Sequence, residues 1–204
     1  MSVLIAPVEG AGENQVPRLD FELQTGCDHA CGHCYNVWTA SPGDPQHGMT
    51  QPGALQTAAL KGLMTKAVRQ SGAQHLTLTG GEPLLRQDAL EVIGHACSLV
   101  PSVHLITNGS HVTPDVARTL AEAGMRSVQL TLLAGDKELH DRLKGAECFD
   151  DTVRAIQRLN EAGVTTQVCY VAMKENDGQL AHVMEICFAL GVGALSYNRM
   201  SPTG

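Results

Sequence analysis

Short strand-like runs alternate with helical patterns along most of this sequence, and that alternation restricts the possible folds more than any other feature. Strand patterns, each bounded by Gly or Pro, cover residues 19–25, 75–79, 103–107, 127–133, 165–172 and 194–197. Apolar residues spaced three or four apart predict helices over residues 60–67, 90–97, 116–123, 153–159 and 180–187. Strict alternation with short links predicts parallel strands joined by helical crossovers.

Local signals support these helix boundaries. Thr113 followed by Pro114 is typical of a helix N-cap and first turn, and Asp150 or Asp151 is expected to cap a later helix. Glycines stand at predicted helix ends, where a left-handed residue is favoured: Gly72, Gly124, Gly163 and Gly191. The periodicity leaves two α/β folds open, a doubly wound sheet and a partial barrel. In both folds, reactive groups gather at the carboxyl ends of the strands.

Bulk properties narrow the class of protein. A chain of 204 residues has room for one domain with a sizeable core. Its 14 Lys and Arg against 21 Asp and Glu give a net charge of −7, which disfavours a nucleic-acid partner. No run approaches the roughly 18 apolar residues of a membrane helix, and residues 1–15 lack the features of a signal peptide. We therefore expect a cytoplasmic protein with no membrane partner.

Three cysteines lie within eight residues directly after the first predicted strand: Cys27, Cys31 and Cys34. In a chain without an export signal, such spacing favours metal ligation over disulfides. A cube of four iron and four sulfide ions takes thiolate ligands from a short loop of this kind, and three ligands leave one iron open. The alternative is a closed zinc site in which His29 or His33 supplies the fourth ligand. The spacing alone leaves both sites open.

A second motif, Gly80-Gly81-Glu82-Pro83, directly follows the second predicted strand. Two glycines permit a turn that exposes backbone N–H and C=O groups at the strand end, where Glu82 adds a carboxylate. Taken alone, the motif is most often an ordinary turn. It becomes informative because the cysteine loop follows the first strand.

The two motifs together resemble those of the radical S-adenosylmethionine (SAM) superfamily. This resemblance implies a partial (β/α)6 TIM-like barrel of parallel strands, with a [4Fe-4S] cluster and SAM as cofactors. It also implies that the open iron chelates the amino and carboxylate groups of SAM. The implied metal ligands, which also form the catalytic centre, are Cys27, Cys31 and Cys34.

The resemblance implies further positions that bind SAM. They lie in the Gly-Gly-Glu-Pro turn, beside the third cysteine, and at the ends of the third and fourth strands: Gly80, Gly81, Glu82, Pro83, His33, Tyr35, Asn108 and Thr131. One departure from the family pattern is Leu133, which stands where relatives commonly carry an Asp.

The stretch from His140 to Gly145 resembles the HDxxRG sequence of the branch that modifies ribosomally made peptides, and Asn176 and residues 199–204 echo the same branch. The implied activity is reductive cleavage of SAM to a 5'-deoxyadenosyl radical, which abstracts a hydrogen atom from a peptide. An external electron donor such as a flavodoxin or ferredoxin is implied. Two alternatives stay open: a relative that matures a haem-type cofactor, and a non-catalytic adaptor that binds zinc or a cluster.

The same resemblance bears on domain organisation. We expect residues 1–204 to form one radical SAM core domain. Relatives in the peptide-modifying branch continue past the sixth strand into a SPASM or twitch-type extension that holds auxiliary clusters, and this extension is absent from these 204 residues.

Overall fold

The structure, a computed structural model, describes residues 16–34 and 55–200. Within this part of the chain, one sheet of parallel strands holds the fold together. Its strands are β1 (Arg18–Glu22), β2 (His75–Thr79), β3 (Ser102–Ile106), β4 (Ser127–Thr131), β5 (Thr165–Ala172) and β6 (Ala194–Arg199). All of the predicted strands are confirmed, with ends that differ by a few residues.

The order of the strands decides between the two predicted architectures. The sheet runs β1-β2-β3-β4-β5-β6, so each strand lies beside the next one in the sequence. A doubly wound sheet reverses its order at a switch point, whereas a barrel keeps one direction. The sequential order therefore confirms the partial barrel of parallel strands.

Helices follow the strands and cover one face of the sheet. They are α1 (Thr57–Ser71), α2 (Ala89–Leu99), α3 (Pro114–Glu122), α4 (Lys137–Lys144), α5 (Phe149–Glu161) and α6 (Leu180–Ala189). The sequence patterns predict every helix except α4. The buried residues of α4 are His140 and Lys144, and its apolar residues are only Leu139 and Leu143, which are partly buried, so the apolar pattern is too short for periodicity to detect.

The start of α5 differs from the prediction that Asp150 or Asp151 caps it. Both residues lie within the first turn of the helix, and Cys148 occupies the cap position. The carboxylate of Asp141 accepts hydrogen bonds from the N–H groups of Cys148, at 2.8 Å, and Phe149, at 2.7 Å. A side chain from α4 thus satisfies the first amides of α5, as a cap would.

The two faces of the sheet have opposite character. On the helix side, strand residues such as Leu78, Leu105 and Leu130 are fully buried in the hydrophobic core. The alternate residues of β3 and β4 are partly exposed and, apart from Ile106, polar; the Nδ1 of His104 and the hydroxyl of Ser127 are hydrogen-bonded at 2.6 Å on this second face. At β3 and β4 the sheet therefore presents a mainly polar face opposite its apolar core. Among the described residues, no helix is long and apolar enough to cross a membrane.

Leu105→Ala tests the position of the core. Leu105 is fully buried on β3, so we expect the free energy of unfolding to fall by about 2–5 kcal/mol. Phe188 on α6 is 91% exposed, and Phe188→Ala should change the same quantity by no more than about 0.5 kcal/mol. Urea unfolding followed by circular dichroism measures both. Similar losses in the two variants would contradict this assignment of the core.

Candidate active site

The cysteine loop leaves the carboxyl end of β1, at the edge of the sheet where reactive groups were expected. Cys27 and Cys31 are partly buried and Cys34 is exposed. The N–H of His29 donates to the sulfur of Cys27 at 3.5 Å, and the N–H of Cys34 donates to the carbonyl of Cys31 at 3.1 Å. One short, hydrogen-bonded loop therefore presents three sulfur atoms.

The chemistry of these sulfurs suits a bound metal. Burial raises the pKa of the Cys27 thiol to about 12, and it also raises the pKa of the Cys31 thiol. Without a cation these thiols stay protonated at neutral pH, whereas metal ligation takes the deprotonated form. The three-sulfur donor set fits a [4Fe-4S] cluster with one iron that the protein leaves unligated.

The loop cysteines do not form a closed zinc site with the other described donors. Ligands of one zinc lie roughly 3.8 Å apart when zinc–sulfur bonds are about 2.3 Å. Within residues 16–34 and 55–200, one group of three His, Cys or acidic side chains has its ligand atoms within 4.8 Å of one another: His140, Asp141 and Cys148. No cysteine of the loop belongs to such a group in this part of the chain. Wider spacing is expected when each thiolate binds a different iron of a cluster.

The group formed by His140, Asp141 and Cys148 is already engaged in holding helices. The Asp141 carboxylate accepts the first amides of α5. The Nδ1 of His140 accepts the N–H of Leu133 at 3.2 Å, so the proton of the neutral ring is on Nε2. A metal-binding imidazole needs a free lone pair, and neither nitrogen provides one in this arrangement. These contacts explain Asp141 as the cap of α5, while the buried Nε2 of His140 has no hydrogen-bond partner among the described residues.

The Gly-Gly-Glu-Pro turn packs directly on the segment that leads into the cysteine loop. The N–H of Gly81 donates to the carbonyl of Gln24 at 2.9 Å, and the N–H of Glu82 donates to that of Gly26 at 2.8 Å. A Cβ on Gly80 would lie 2.3 Å from the Gln24 oxygen, and one on Gly81 would lie 2.1 Å from the Gly26 oxygen. Gly80 also has a φ of 146°, which side chains rarely adopt. Both glycines are therefore required by this backbone contact.

Glu82 ties the end of β2 to the end of β3. Its side chain is fully buried, and its carboxylate accepts hydrogen bonds from the Leu84 N–H at 2.9 Å, the Thr107 hydroxyl at 2.7 Å and the Asn108 N–H at 2.7 Å. Burial raises the pKa of this carboxyl group, and the three donors oppose the rise. The sequence could not show this second role of Glu82, because its partners Thr107 and Asn108 lie about 25 residues away.

The turn after β3 holds the residues between the first two cysteines. The side-chain amide of Asn108 donates to Asp28 at 2.7 Å, and the Nε2 of His111 lies 2.8 Å from the other oxygen of the same carboxylate. The Nε2 of His29 is hydrogen-bonded to the Ser110 hydroxyl at 3.0 Å. Three side chains of this turn therefore fix the cysteine loop from the β3 side.

The end of α4 holds the loop from the other side. The N–H of Ala30 donates to the Lys144 carbonyl at 3.1 Å, and the N–H of Gly32 lies 3.4 Å from the Leu143 carbonyl. Gly145 adopts a φ of 62°, and a Cβ there would lie 2.6 Å from the Ala30 oxygen. The stretch from His140 to Gly145, which sequence analysis singled out only for its resemblance to HDxxRG, thus contacts the cysteine loop directly.

The structure brings several of the predicted site residues together and leaves others apart or undescribed. The three loop cysteines, the glycines, Glu82 and the Asn108 turn come together at neighbouring strand ends, while Pro83 begins a short 3-10 helix over Pro83–Leu85. Thr131 ends β4, and His33 lies partly buried beside the third cysteine. Tyr35 and residues 201–204 lie outside the described residues. Sequence reasoning missed Asp28 and His111, because nothing in the spacing connects positions that lie about 80 residues apart.

Asn176, which the sequence associated with the same branch, has a structural role here. It is fully buried, and its side-chain amide donates to the carbonyls of Leu133 and Val171, each at 2.9 Å. Leu133, which replaces the carboxylate of relatives, is also fully buried. Asn176 therefore joins the ends of β4 and β5 through their backbones.

Comparison with known proteins gives consistent matches. A family model described as the Radical SAM superfamily matches residues 21–187. Mycofactocin maturase MftC of Mycolicibacterium smegmatis is 30% identical over 187 residues, 91% of this chain and 45% of that protein. An AdoMet-dependent heme synthase of Oleidesulfovibrio alaskensis is 29% identical over 185 residues, 90% of this chain and 45% of that protein. This chain therefore spans less than half the length of these curated relatives.

Solved structures match at the level of the fold. The crystal structure of Streptococcus suis SuiB bound to precursor peptide SuiA aligns with a TM-score of 0.77 at 18% identity, over 92% of this chain and 40% of that chain. At this identity the likeness shows the fold alone. It agrees with the sequential parallel sheet described above.

Gly81→Ala tests the contact between the two motifs. The new methyl group would overlap the Gly26 carbonyl, so we expect a loss of unfolding free energy of at least about 1–3 kcal/mol. Gly94 in α2 has open space at its Cβ position, and Gly94→Ala should stabilise the protein by about 0.5–1 kcal/mol. Denaturant unfolding of the metal-free protein measures both changes. A stabilised Gly81→Ala variant would show that the two backbones are not in contact.

The pairing of Asp28 with His111 predicts a pH-dependent contribution to stability. Burial alone would raise the pKa of Asp28, but hydrogen bonds from His111 and Asn108 hold it at about 2, and the same pair raises the pKa of His111. The pair should stabilise the fold from about pH 4 to above pH 6.5, and lose its effect as His111 deprotonates at higher pH. His111→Gln should therefore cost more unfolding free energy at pH 6 than at pH 9 in metal-free protein. In an Asp28→Asn background this difference should vanish, and its persistence there would contradict the pairing.

Proposed function

This chain belongs to the radical SAM superfamily, and we propose that it cleaves SAM reductively at a [4Fe-4S] cluster held by Cys27, Cys31 and Cys34. The main support is the packing of a loop with three thiols directly on the Gly-Gly-Glu turn. When bound and reduced by one electron, the cluster supplies the electron that breaks the C5'–S bond of SAM, giving methionine and a 5'-deoxyadenosyl radical. The radical then abstracts a hydrogen atom from the substrate.

The electrostatics of the loop support a SAM site beside the first cysteine. Glu82 and Asp28 both lie close enough to Cys27 to raise the pKa of its thiol further, after the larger effect of burial. SAM carries a positive amino group and a positive sulfonium, which an acidic environment attracts. The turn of Gly80 and Gly81 adds backbone groups close to the same place. His33, Tyr35, Asn108 and Thr131 complete the proposed contacts with SAM.

A ribosomally synthesised peptide is the substrate class that we propose. The stretch from His140 to Gly145, which resembles the peptide-modifying branch, supports the cysteine loop through Lys144 and Leu143. SuiB, which shares this fold, is described in complex with a precursor peptide. The mainly polar face of β3 and β4 offers a surface on which an extended chain would reach the carboxyl ends of the strands. An external flavodoxin or ferredoxin would supply the electron.

A second candidate is the maturation of a haem-type cofactor. The observation in its favour is the similarity to an AdoMet-dependent heme synthase over 90% of this chain. Assays of 5'-deoxyadenosine release distinguish the two candidates. Release that depends on a precursor peptide supports the first, and release that depends on a haem precursor supports the second. One tightly held zinc and no release of 5'-deoxyadenosine would instead support a non-catalytic adaptor.

Cys31→Ala tests the metal centre itself. Two remaining thiolates are too few to hold the cluster, so the protein reconstituted without oxygen should lose its broad visible absorption and all SAM cleavage. Cys97 lies on α2, away from the loop, and Cys97→Ala should keep both properties. Absorption spectra and 5'-deoxyadenosine release measure the outcome. A Cys31→Ala protein that still cleaves SAM would refute the proposed ligand set.

A further inference from the structure

Lys144 is a nearly buried cation beside the cysteine loop. The residue is 4% exposed, it ends α4, and its carbonyl accepts the Ala30 N–H at 3.1 Å. None of the ion pairs within the described residues includes it, although eight other ion pairs involve Lys or Arg. A lysine that is nearly buried is usually paired, so Lys144 is suited to compensate a negative charge that a bound group brings to the loop.

Lys144 lies at the end of α4 that contacts the cysteine loop, one turn after the buried His140. Burial raises the pKa of the Cys31 thiol and Lys144 opposes that rise, so the lysine lies within electrostatic reach of that sulfur.

The opposite side of the loop has the opposite sign. Asp28 and Glu82 act on Cys27, and the nearby imidazole of His111 is already hydrogen-bonded to Asp28 at 2.8 Å. The cysteine loop therefore lies between acidic groups at its first cysteine and one lysine at its second. Added negative charge is therefore better stabilised on the Cys31 side of the loop, where Lys144 lies, than on the Cys27 side.

This inference rests on the function proposed above. We propose that Lys144 is the charge-compensating residue of the metal centre, which stabilises the cluster after it accepts one electron. Reduction by an external one-electron donor changes the cluster core from 2+ to 1+ and forms or breaks no bond. The added negative charge is then offset by a fixed ammonium group in surroundings of low polarity. Net charge near an iron–sulfur cluster is one of the factors that set its reduction potential.

The test is the midpoint potential of the reconstituted cluster, measured by electron paramagnetic resonance during a redox titration without SAM. Lys144→Met removes the charge and keeps the aliphatic length, and Lys144→Arg keeps the charge. We expect the Met variant to shift the reduction equilibrium at least tenfold toward the oxidised form, a fall of about 59 mV for a one-electron couple. The Arg variant should stay closer to the wild-type potential than the Met variant does.

Lys137→Met is the matched control, because Lys137 lies on the same helix but is half-exposed and paired with Asp150 at 2.8 Å. Its loss should leave the potential unchanged, since solvent screens an exposed charge. If Lys144→Met does not fold, Lys144→Gln supplies the uncharged variant under the same criterion.

Several results would overturn the proposal while leaving the proposed function intact. A full complement of iron with a wild-type potential in Lys144→Met, or equal shifts in the Met and Arg variants, would show that the charge does not act on the cluster. A weaker affinity for SAM with an unchanged potential would instead assign Lys144 to the SAM carboxylate. Failure of the wild-type protein to bind four irons would contradict the proposed function itself.

Discussion

The contact between the backbones that leave β1 and β2 is the constraint on which the rest of the site depends. The N–H groups of Gly81 and Glu82 donate to the carbonyls of Gln24 and Gly26. Neither Gly80 nor Gly81 has room for a side chain. Parallel neighbouring strands bring their carboxyl ends to one edge, so two motifs about 50 residues apart become one structure. The cysteine loop therefore begins from a fixed position, because the turn beside it is fixed.

Further side chains extend this constraint around the sheet. Glu82 connects the turn to β3 through Thr107 and Asn108, and Asn108 in turn holds Asp28 within the cysteine loop. The end of α4 closes the opposite side through backbone bonds to Ala30. The loop is thus held by three successive crossovers of the barrel, which is a rigid setting for a metal centre that must present one open coordination position.

Charged groups of opposite sign lie on different sides of the cysteine loop. The acidic groups lie at the β2 and β3 side of the loop, and Lys144 lies at the α4 side. A positively charged cosubstrate and a cluster that gains negative charge have opposite electrostatic needs. Because the acidic groups and Lys144 lie on different sides of the loop, the acidic groups would attract SAM while the lysine would compensate the reduced cluster.

The sequence predicts most of the fold and the centre of the site, and its failures have physical causes. Strands and most helices follow from periodicity, because their buried faces are apolar. Helix α4 escapes detection because its buried face consists of His140 and Lys144. The three cysteines proposed as ligands are close in sequence and therefore visible as a motif. The pairing of Asp28 with His111 depends on a tertiary contact between distant positions, which no local pattern encodes.

The central claim is that three thiolates leave one iron of a [4Fe-4S] cluster open to SAM. The most direct measurement is the paramagnetic resonance spectrum of the anaerobically reconstituted, reduced protein before and after SAM is added. We expect about four irons per chain and a spectrum that SAM alters, because its amino and carboxylate groups would bind the open iron. A colourless protein with one bound metal ion, or a four-iron cluster whose spectrum SAM does not change, would contradict this account.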